Sequence, residues 1–395
     1  MLPPFIYDKV MLEYKCKRYH LQKIIERNDE MSNKKMSVFK EMACYGFEQV
    51  IYFYDAHTEL KGIIVIHDTT LGPALGGARI WNYESEEDAL FDCLRLARGM
   101  TYKSSAAGLN LGGGKAVIIG DATKVKSEAF FRAFGRYVQS VNGRYITAED
   151  VNTTTQDMAY VAMETNHVVG LEGKSGNPSP ITALGAFYGI KAALLYRHKT
   201  DDVSKFSYAI QGVGETGSNL LRYLIEEGAT KIYVADINQK NLDRIRKSYP
   251  EVKIVEPNDI YSQDVDVFVP CALGGVLNDD TIPKLKAKII CGTSNNVLLD
   301  EEKHADMLMN KEILYAPDFV ANAGGVINVY HEIHGYKREN VIADVKLIGE
   351  RLLQIFKISD EQKINTQHAA KVFAENRIKS VKEIHKNLIN RWCNG

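Results

Sequence analysis

The spacing of apolar residues changes character in the second half of the chain. There, short apolar runs recur at intervals that leave room for a helix between most neighbours. Short buried strands that alternate with helices are typical of an open parallel sheet. We therefore predict an α/β unit with strands at residues 208–211, 231–235, 252–255, 265–270, 287–291 and 313–315.

The first half mixes the helical and the strand periodicity. An apolar run at 63–66 predicts a strand, and residues 85–88 match the capping-box pattern that precedes a helix. The helical stripe after this box comprises Ala89, Leu90, Cys93, Leu94 and Ala97. A glycine-dense segment at 108–115 predicts a long loop at the mouth of a strand at 116–119. A loop of this kind is the first indication of a site.

Two prolines and a glycine within residues 176–180 indicate a turn, which we interpret as the hinge between two α/β domains. After Gly325 the pattern is helical to the end of the chain. We divide the chain into an N-terminal extension of unknown role at 1–35, a first domain at 36–178, a second domain at 179–330 and C-terminal helices at 331–395.

The charges nearly cancel: 49 Lys and Arg against 50 Asp and Glu give a formal net charge of −1 over 395 residues. Binding to nucleic acids or membrane surfaces usually requires an excess or a cluster of positive charge, so we expect neither partner. No stretch approaches the length of about 18 apolar residues that a membrane helix needs. The N-terminus also lacks the apolar core of a signal peptide.

The six cysteines include no CxxC pair, which is typical of intracellular thiols rather than of a disulfide framework or a zinc site. His331 and His334 are three residues apart on a predicted helix, but no third ligand stands out, so we expect no metal site. Together with the missing signal peptide, these features predict a cytoplasmic protein.

A glycine motif lies between a predicted strand and a helical stripe. Gly212, Gly214 and Gly217 form GxGxxG, which allows a tight turn and close approach of the backbone to a pyrophosphate at a helix N-terminus. Asp236 ends the next strand about 20 residues on, where a carboxylate accepts hydrogen bonds from ribose hydroxyls and repels a 2′-phosphate. The motif predicts a dinucleotide site that favours NAD. Lys240 leaves NADP open, and the glycines alone could merely form a turn.

Three charged residues of the first half are candidates for chemistry. Lys115 closes the glycine-dense segment, Lys103 ends a helix-like stretch, and Asp150 follows a predicted strand at 145–148. Desolvation or a second cation favours the neutral form of a lysine, which can then act as a general base, while the other lysine holds a substrate carboxylate. Asp150 would lie at the carboxyl end of its strand, where ligands gather. Solvated lysines and a turn acid remain the alternatives.

Seven segments resemble the glutamate/leucine/phenylalanine/valine dehydrogenase family, and they keep the family's order from residue 36 to the C-terminal helices. The chain is most similar to the leucine-specific members and less similar to the phenylalanine-specific ones. The segments are LGPALGGAR at 71–79, GMTYK at 99–103, AGLNLGGGK at 107–115, TAEDV at 147–151, PCALG at 270–274, YAPDF at 315–319 and NAGGVINV at 322–329.

The resemblance implies NAD-dependent, reversible oxidative deamination of an L-amino acid to a 2-oxo acid, ammonium and NADH. It implies that Lys103 binds the substrate carboxylate, that Lys115 is the general base that activates water, and that Asp150 relays protons to and from the amino group. Thr182 and Asn295 would face the nicotinamide side of the cofactor. The first domain would bind the substrate and form a homo-oligomer, by resemblance an octamer. The second domain would bind NAD, and the C-terminal helices would pack back on the first.

The side-chain pocket indicates the substrate class. Glutamate-specific relatives carry a lysine before the Gly-Gly pair, but Leu75 stands there in this chain, and a buried carboxylate without a partner is costly. Residues that match an apolar pocket for a branched aliphatic side chain are Leu75, Gly76, Ala148, Val326 and Val329. One methylene is worth only about 1–3 kcal/mol in such a pocket, so we expect leucine, isoleucine and valine all to react. An aromatic substrate remains an alternative.

Several positions depart from the family pattern. Asn152 replaces a glycine two residues after Asp150, where it could alter the turn, and Glu215 places a negative charge in the phosphate loop, where it would weaken NAD binding. Residues 293–294 are Thr-Ser in place of Ser-Ala, and residues 1–35 have no counterpart. These departures keep open a second class of function, an NAD-binding sensor or scaffold without turnover.

Overall fold

The computed structural model describes the backbone of residues 37–393 and the side chains of residues 37–385. The predicted extension at 1–35 lies outside this range. The strands are β1 (Gln49–Asp55), β2 (Leu60–Asp68), β3 (Ala74–Trp81), β4 (Gly112–Ile119), β5 (Tyr145–Glu149), β6 (Ser207–Gln211), β7 (Lys231–Ala235), β8 (Lys253–Ile254), β9 (Val267–Pro270), β10 (Ile289–Ile290) and β11 (Leu314–Tyr315). The helices are α1 (Val38–Tyr45), α2 (Glu86–Ala106), α3 (Ala122–Val125), α4 (Glu128–Ser140), α5 (Thr155–Ala162), α6 (Ser179–His198), α7 (Glu215–Glu226), α8 (Gln239–Ser248), α9 (Glu301–Asn310), α10 (Asp318–Ala321), α11 (Gly324–Ile333), α12 (Arg338–Gln362) and α13 (Thr366–Cys393).

The first sheet has the strand order β1-β2-β4-β3-β5. β1, β2 and β4 are antiparallel neighbours, whereas β3 runs parallel to both β4 and β5. Helix α2 covers one face, where Leu90 packs with Ile63 and Val117. Helix α4 covers the other face, where Phe130 packs with Ile64. Both faces of the central strands are therefore buried, which explains their nearly continuous apolar sequences.

Residues 112–115 of the glycine-dense segment lie within the central strand β4 and are not part of the long loop predicted for them. A Cβ atom at Gly112 would lie 1.9 Å from the carbonyl oxygen of Asp68, and one at Gly113 would lie 2.1 Å from the amide nitrogen of Thr101. Glycine is thus required because the strand passes directly against neighbouring backbone. As a result, Lys115 projects from a buried strand.

The second sheet has the order β11-β10-β9-β6-β7-β8, and all its strands are parallel. This confirms the predicted open parallel sheet, although several strands are shorter than their apolar runs. On β6, Tyr208 and Ile210 face the cluster that includes α6 and α7, while Ala209 faces the opposite cluster. Helices therefore cover both faces, as in Rossmann-type folds.

The C-terminal helix α13 connects the two sheets' units. The Tyr102 hydroxyl, on α2, donates to Glu375 Oε1 at 2.8 Å, which confirms that the C-terminal helices return to the first domain. Lys371, on the same helix, forms an ion pair of 2.5 Å with Glu301 of α9. The helix is thereby held to both units.

Within residues 37–393, no helix combines the length and the apolar character needed to span a membrane. Among the described cysteines, Cys93, Cys271 and Cys291 are free thiols. Cys44 is disulfide-bonded, so the expectation of unpaired cysteines is wrong at that position.

Candidate active site

Lys115 and Asp150 meet at the carboxyl end of the first sheet. The Lys115 Nζ lies 3.0 Å from Asp150 Oδ2, although their strands are separated by β3. Glycines on β3 make this approach possible, because a Cβ atom at Gly77 would lie 2.7 Å from the Cβ of Asp150. Lys115 is only 4% exposed. The two residues predicted to handle protons therefore form an ion pair in which Lys115 is buried and Asp150 is partly exposed.

A second cation binds the same carboxylate. The Arg79 Nε lies 3.0 Å from Asp150 Oδ2. Burial on its own would raise the pKa of Asp150, but the charges of Lys115 and then of Arg79 outweigh it and lower that pKa to about 2. Asp150 is therefore a carboxylate, not a carboxylic acid, across the physiological pH range.

The turn after Asp150 tolerates the asparagine that replaces glycine. Asn152 adopts the left-handed conformation with φ of 61°, which asparagine enters more readily than most residues. Its Nδ2 donates to the carbonyl oxygen of Ile80 at 3.0 Å, and the Asp150 amide donates to Thr153 Oγ1 at 2.8 Å. The concern that Asn152 alters the turn is not supported, since its side chain adds a bond that a glycine would lack.

Lys103 lies in the last turn of α2. Burial is the main reason that the pKa of Lys103 is lowered to about 8. The negative charge of Asp318 and, less strongly, that of Asp150 raise this pKa, whereas the positive charge of Lys115 lowers it further. Its Nζ donates to Asn295 Oδ1 at 3.4 Å, which joins the first domain to the second across the cleft. The site thus has the expected pair of cations.

Asp318 belongs to this site but was not among the predicted site residues. It lies three residues after the end of β11, as the first residue of α10. Its carboxylate accepts from the amides of Val297 at 2.9 Å and Phe319 at 2.7 Å. Burial raises the pKa of Asp318, while those amides and the charge of Lys103 oppose the shift. An acid at the carboxyl end of a parallel strand was the available signal, and the sequence analysis used it only as part of the YAPDF segment.

The residues predicted for the side-chain pocket come from both domains. Leu75, Ala148 and Val326 are buried members of one extended apolar cluster, and the half-buried Val329 packs against it. Gly76 contributes backbone only, because a Cβ atom there would lie 1.8 Å from the carbonyl oxygen of Gly114. Four of the five predicted residues therefore belong to or pack against the same apolar cluster.

Thr182 lies at the start of α6 and faces the start of α11. A Cβ atom at Gly325 would lie 2.9 Å from Thr182 Oγ1. Helix α11 also carries Val326 and Val329. Thr182 therefore lies next to the helix that carries two of the residues predicted for the side-chain pocket.

The glycine motif forms the predicted turn between β6 and α7. Gly212 has φ of 90°, and a Cβ atom at Gly217 would lie 2.0 Å from the carbonyl oxygen of Gly212. By contrast, a Cβ atom at Gly214 would meet nothing within 4 Å. Asp236, after β7, accepts from the Val213 amide at 2.9 Å through Oδ2. Two of the glycines are therefore required by the turn itself, while Gly214 faces open space.

Two apolar side chains at this edge were missed by the sequence analysis. Ile237 is 91% exposed and directly follows Asp236, and Leu273 is 83% exposed and lies shortly after β9. Exposed apolar residues beside a phosphate loop provide flat surfaces for a planar ring. Their positions after the carboxyl ends of β7 and β9 were the available signal.

Two observations indicate that the residues at the carboxyl edge of the second sheet fit a dinucleotide. Gly214 leaves room for a ligand against the N-terminus of α7, where backbone N–H groups favour phosphate. At the other end, Asn322 Nδ2 donates to Asn295 Oδ1 at 2.8 Å, while the buried Asn322 Oδ1 has no partner within residues 37–385. That oxygen can accept from a ligand's amide group. A metal site has no such support, since no group of three or more His, Cys, Asp or Glu in the described range is arranged to hold an ion.

The loop before α6 is fastened to α11. Glu332 accepts from the amides of Gly170 at 3.0 Å and Ser175 at 3.1 Å, and also from the Ser175 hydroxyl. Asn328, one turn earlier on α11, donates to the Ser175 carbonyl oxygen at 3.1 Å. The segment 170–175, which directly precedes the predicted hinge at 176–180, is therefore tied to α11.

Two family models together match most of the chain. The family model of the Glu/Leu/Phe/Val dehydrogenase dimerisation domain matches residues 48–167, and that of glutamate/leucine/phenylalanine/valine dehydrogenase matches residues 237–388. The chain is 52% identical over 351 residues to leucine dehydrogenase of Geobacillus stearothermophilus, covering 88% of this chain and 95% of that one.

Relatives with other substrates are also similar. Phenylalanine dehydrogenase of Bacillus thermotolerans is 46% identical over 358 residues, covering 88% of this chain and 93% of that one. The crystal structure of L-tryptophan dehydrogenase from Nostoc punctiforme superposes with a TM-score of 0.79 at 46% identity, covering 88% of this chain and 100% of that one. These similarities support an oxidoreductase that acts on amino acids and uses a nicotinamide cofactor. The chain belongs to the Glu/Leu/Phe/Val dehydrogenase family.

Proposed function

We propose that the protein catalyses the NAD-dependent oxidative deamination of branched-chain L-amino acids, leucine together with valine and isoleucine, to the 2-oxo acid, ammonium and NADH, and that the reaction is reversible. The observation that carries the proposal is the ion pair of Lys115 and Asp150, 3.0 Å apart, beside Lys103 and an apolar cluster. This arrangement provides a cation for a carboxylate, proton-transfer groups for an amine and a surface for an aliphatic side chain.

Each charged group has a proposed role. Lys103 binds the substrate carboxylate, which compensates for the burial that lowers its own pKa. Lys115 takes a proton from the attacking water as the general base. Asp150 exchanges protons with the amino group, and it is suited to do so because it stays ionised beside that cationic amine.

The proposed cofactor is NAD, held along the carboxyl edge of the second sheet. The amides at the N-terminus of α7 would hold the pyrophosphate, and Asp236 would accept from the ribose hydroxyls and repel a 2′-phosphate. Asn295, with Asn322 behind it, and Thr182 would orient the nicotinamide end. When bound, NAD accepts the hydride from the substrate's α-carbon.

The pocket favours an aliphatic side chain over the glutamate side chain. Leu75 is 2% exposed and Ala148 is 8% exposed, so a second substrate carboxylate in this region would be desolvated without a counter-ion. An aromatic amino acid is the second candidate substrate. The half-buried Val329 at the pocket's rim favours it, because a larger ring could extend past that position.

The remaining sequence predictions are part of the same proposal. We propose a substrate domain at 36–178, an NAD-binding domain at 179–330 and C-terminal helices at 331–395. We also propose a homo-oligomer, by resemblance an octamer, and the name of the first matching family model, a dimerisation domain, supports assembly. A cytoplasmic location is a further prediction.

A panel of L-amino acids tests the function. Purified protein is incubated with leucine, valine, isoleucine, phenylalanine, tryptophan or glutamate, and with NAD or NADP, while the reduced cofactor is followed. We expect the highest kcat/KM with leucine and NAD. A preference for phenylalanine or tryptophan would favour the second candidate. NAD binding in a calorimeter without turnover of any amino acid would favour a sensor or scaffold.

A further inference from the structure

We propose that Arg79 is a positioning residue that fixes one carboxylate oxygen of Asp150 and shares its negative charge, so that Asp150 stays ionised and oriented for proton transfer with the substrate's amino group. The inference rests on the proposed function, since it assigns a part in the same reaction. It adds a residue for which neither the sequence motifs nor the family comparison supplied a role.

The geometry places both cations on one oxygen. The Lys115 Nζ and the Arg79 Nε each lie 3.0 Å from Asp150 Oδ2. Neither of these contacts uses Oδ1, so that oxygen is left for the substrate's amino group. A carboxylate held through one oxygen by two donors from different strands cannot rotate freely, and this restriction pre-organises it for proton transfer.

Arg79 is itself held from behind. Its NH1 lies 2.9 Å from Asp92 Oδ2, on helix α2. The Tyr83 hydroxyl donates to the same oxygen at 2.7 Å, and Arg95 binds Asp92 Oδ1 at 3.1 Å. The Arg79 side chain is 20% exposed and that of Asp92 is 18% exposed. The guanidinium thus bridges two carboxylates, which a single ammonium group could not do with the same spacing.

Other ionisable groups of the described residues also interact with the pair. Lys103 interacts with both Lys115 and Asp150, Cys93 of α2 interacts with Lys115, and Tyr145 of β5 interacts with Asp150. Burial raises the pKa of the Cys93 thiol and of the Tyr145 hydroxyl well above their usual values, so both stay neutral over the working pH range. A change at Arg79 therefore acts directly on its two carboxylate partners, Asp150 and Asp92.

The electrostatic consequence has a definite sign. With Arg79 present, the negative charge of Asp150 is shared between two cations, and both lower the pKa of Asp150. Without Arg79 the pKa of Asp150 rises, so a higher pH is needed to keep this carboxylate ionised. A neighbouring charge at this distance changes such a pKa by about one pH unit or more, and Lys115, which remains in place, limits the change.

The test compares the pH dependence of kcat/KM for leucine in the wild type, Arg79→Gln, Arg79→Lys and Arg95→Gln. Arg95 binds the same Asp92 from the solvent side and does not touch Asp150, so it is the matched control. We expect Arg79→Gln to lower kcat/KM about tenfold or more and to move the acid limb up by about half a pH unit. Arg79→Lys keeps the charge and should restore the limb but not kcat. Arg95→Gln should match the wild type.

The outcomes separate this inference from the proposed function. If the wild type turns over leucine and a folded Arg79→Gln keeps both the rate and the acid limb of the wild type, the inference is overturned and the function stands. If Arg79→Gln does not fold, Arg79→Lys decides, because a wild-type kcat at every pH would contradict a role in positioning. If the folded wild type forms no NADH with any of the amino acids tested, the proposed function is overturned, and this inference with it.

Discussion

Lys103 and Asn295 meet across the cleft, with the Lys103 Nζ donating to Asn295 Oδ1 at 3.4 Å. One residue ends a helix of the first domain and the other follows strand β10 of the second. Lys103, the cation proposed for the substrate carboxylate, is therefore held by a side chain that we propose to face the cofactor. In the proposed function, this contact links substrate binding to cofactor orientation.

The lowered pKa of Lys103 predicts how product binding depends on pH. Lys103 is charged below its pKa of about 8 and neutral above it, and only the charged form attracts a carboxylate. We expect the affinity for 4-methyl-2-oxopentanoate, measured by calorimetry, to be constant below about pH 8 and to fall above it. Lys103→Ala should bind about tenfold more weakly or worse, with no such fall.

A lysine away from the site serves as the control for this prediction. Lys61 is exposed on β2, and Lys61→Ala should keep both the affinity and its pH dependence. An affinity that falls with pH in Lys103→Ala as it does in the wild type would contradict the role given to Lys103.

The two glycines of the phosphate loop should respond differently to alanine. Gly214→Ala adds a Cβ into open space, so the fold is retained and NAD binding weakens about tenfold, equal to about 1.4 kcal/mol. Gly217→Ala places a Cβ 2.0 Å from the Gly212 carbonyl oxygen, and we expect a clear loss of thermal stability. Unchanged NAD affinity in a stable Gly214→Ala would place the pyrophosphate elsewhere.

Sequence patterns predicted the second sheet better than the first. Its strands are buried on both faces and separated by helices, so apolar runs alone located them. In β4, close packing against neighbouring backbone requires glycine at positions 112 and 113. Because glycine is common in loops, this strand has the amino-acid composition of a loop. The pattern therefore suggested a loop, and only the three-dimensional contacts explain the strand.

The site shows a similar division. Lys103, Lys115 and Asp150 stood next to recognisable motifs, but Arg79 is 71 positions before Asp150 in the sequence and contacts it only because β3 lies beside β5. From the sequence, Asn152 was expected to alter the turn. Its left-handed φ and its hydrogen bond to Ile80 could not be seen there, because both follow from the fold. Contacts between residues far apart in the chain were not available from spacing.

Glu332 should control the mobility of the loop at residues 170–175, which precedes α6. Its carboxylate accepts from two backbone amides and a hydroxyl of that loop, and charged acceptors make stronger bonds than neutral ones. We expect Glu332→Gln to speed amide hydrogen exchange at Gly170 and Ser175 and to raise KM for leucine severalfold. Glu339→Gln, at an exposed position of α12, is the control. Exchange rates equal to those of the wild type would show that the loop is held by other contacts.

Val326 should set the size of the side-chain pocket. Val326→Ala removes two methyl groups from a buried position, so the ratio of kcat/KM for phenylalanine to that for leucine should rise about tenfold. Val341→Ala makes the same change in the same apolar cluster but on α12. It should lower thermal stability without changing the ratio. A similar rise in both variants would indicate general loosening instead of a pocket effect.

NADH formation from leucine by the wild type and by Lys115→Ala decides whether Lys115 is the general base of a leucine dehydrogenase reaction. Thermal unfolding and NAD titration show first that both proteins are folded and bind the cofactor. We expect turnover by the wild type and a loss of about a hundredfold or more in Lys115→Ala. Equal rates in the two proteins, or no NADH from leucine with a folded wild type that binds NAD, would contradict the proposed function.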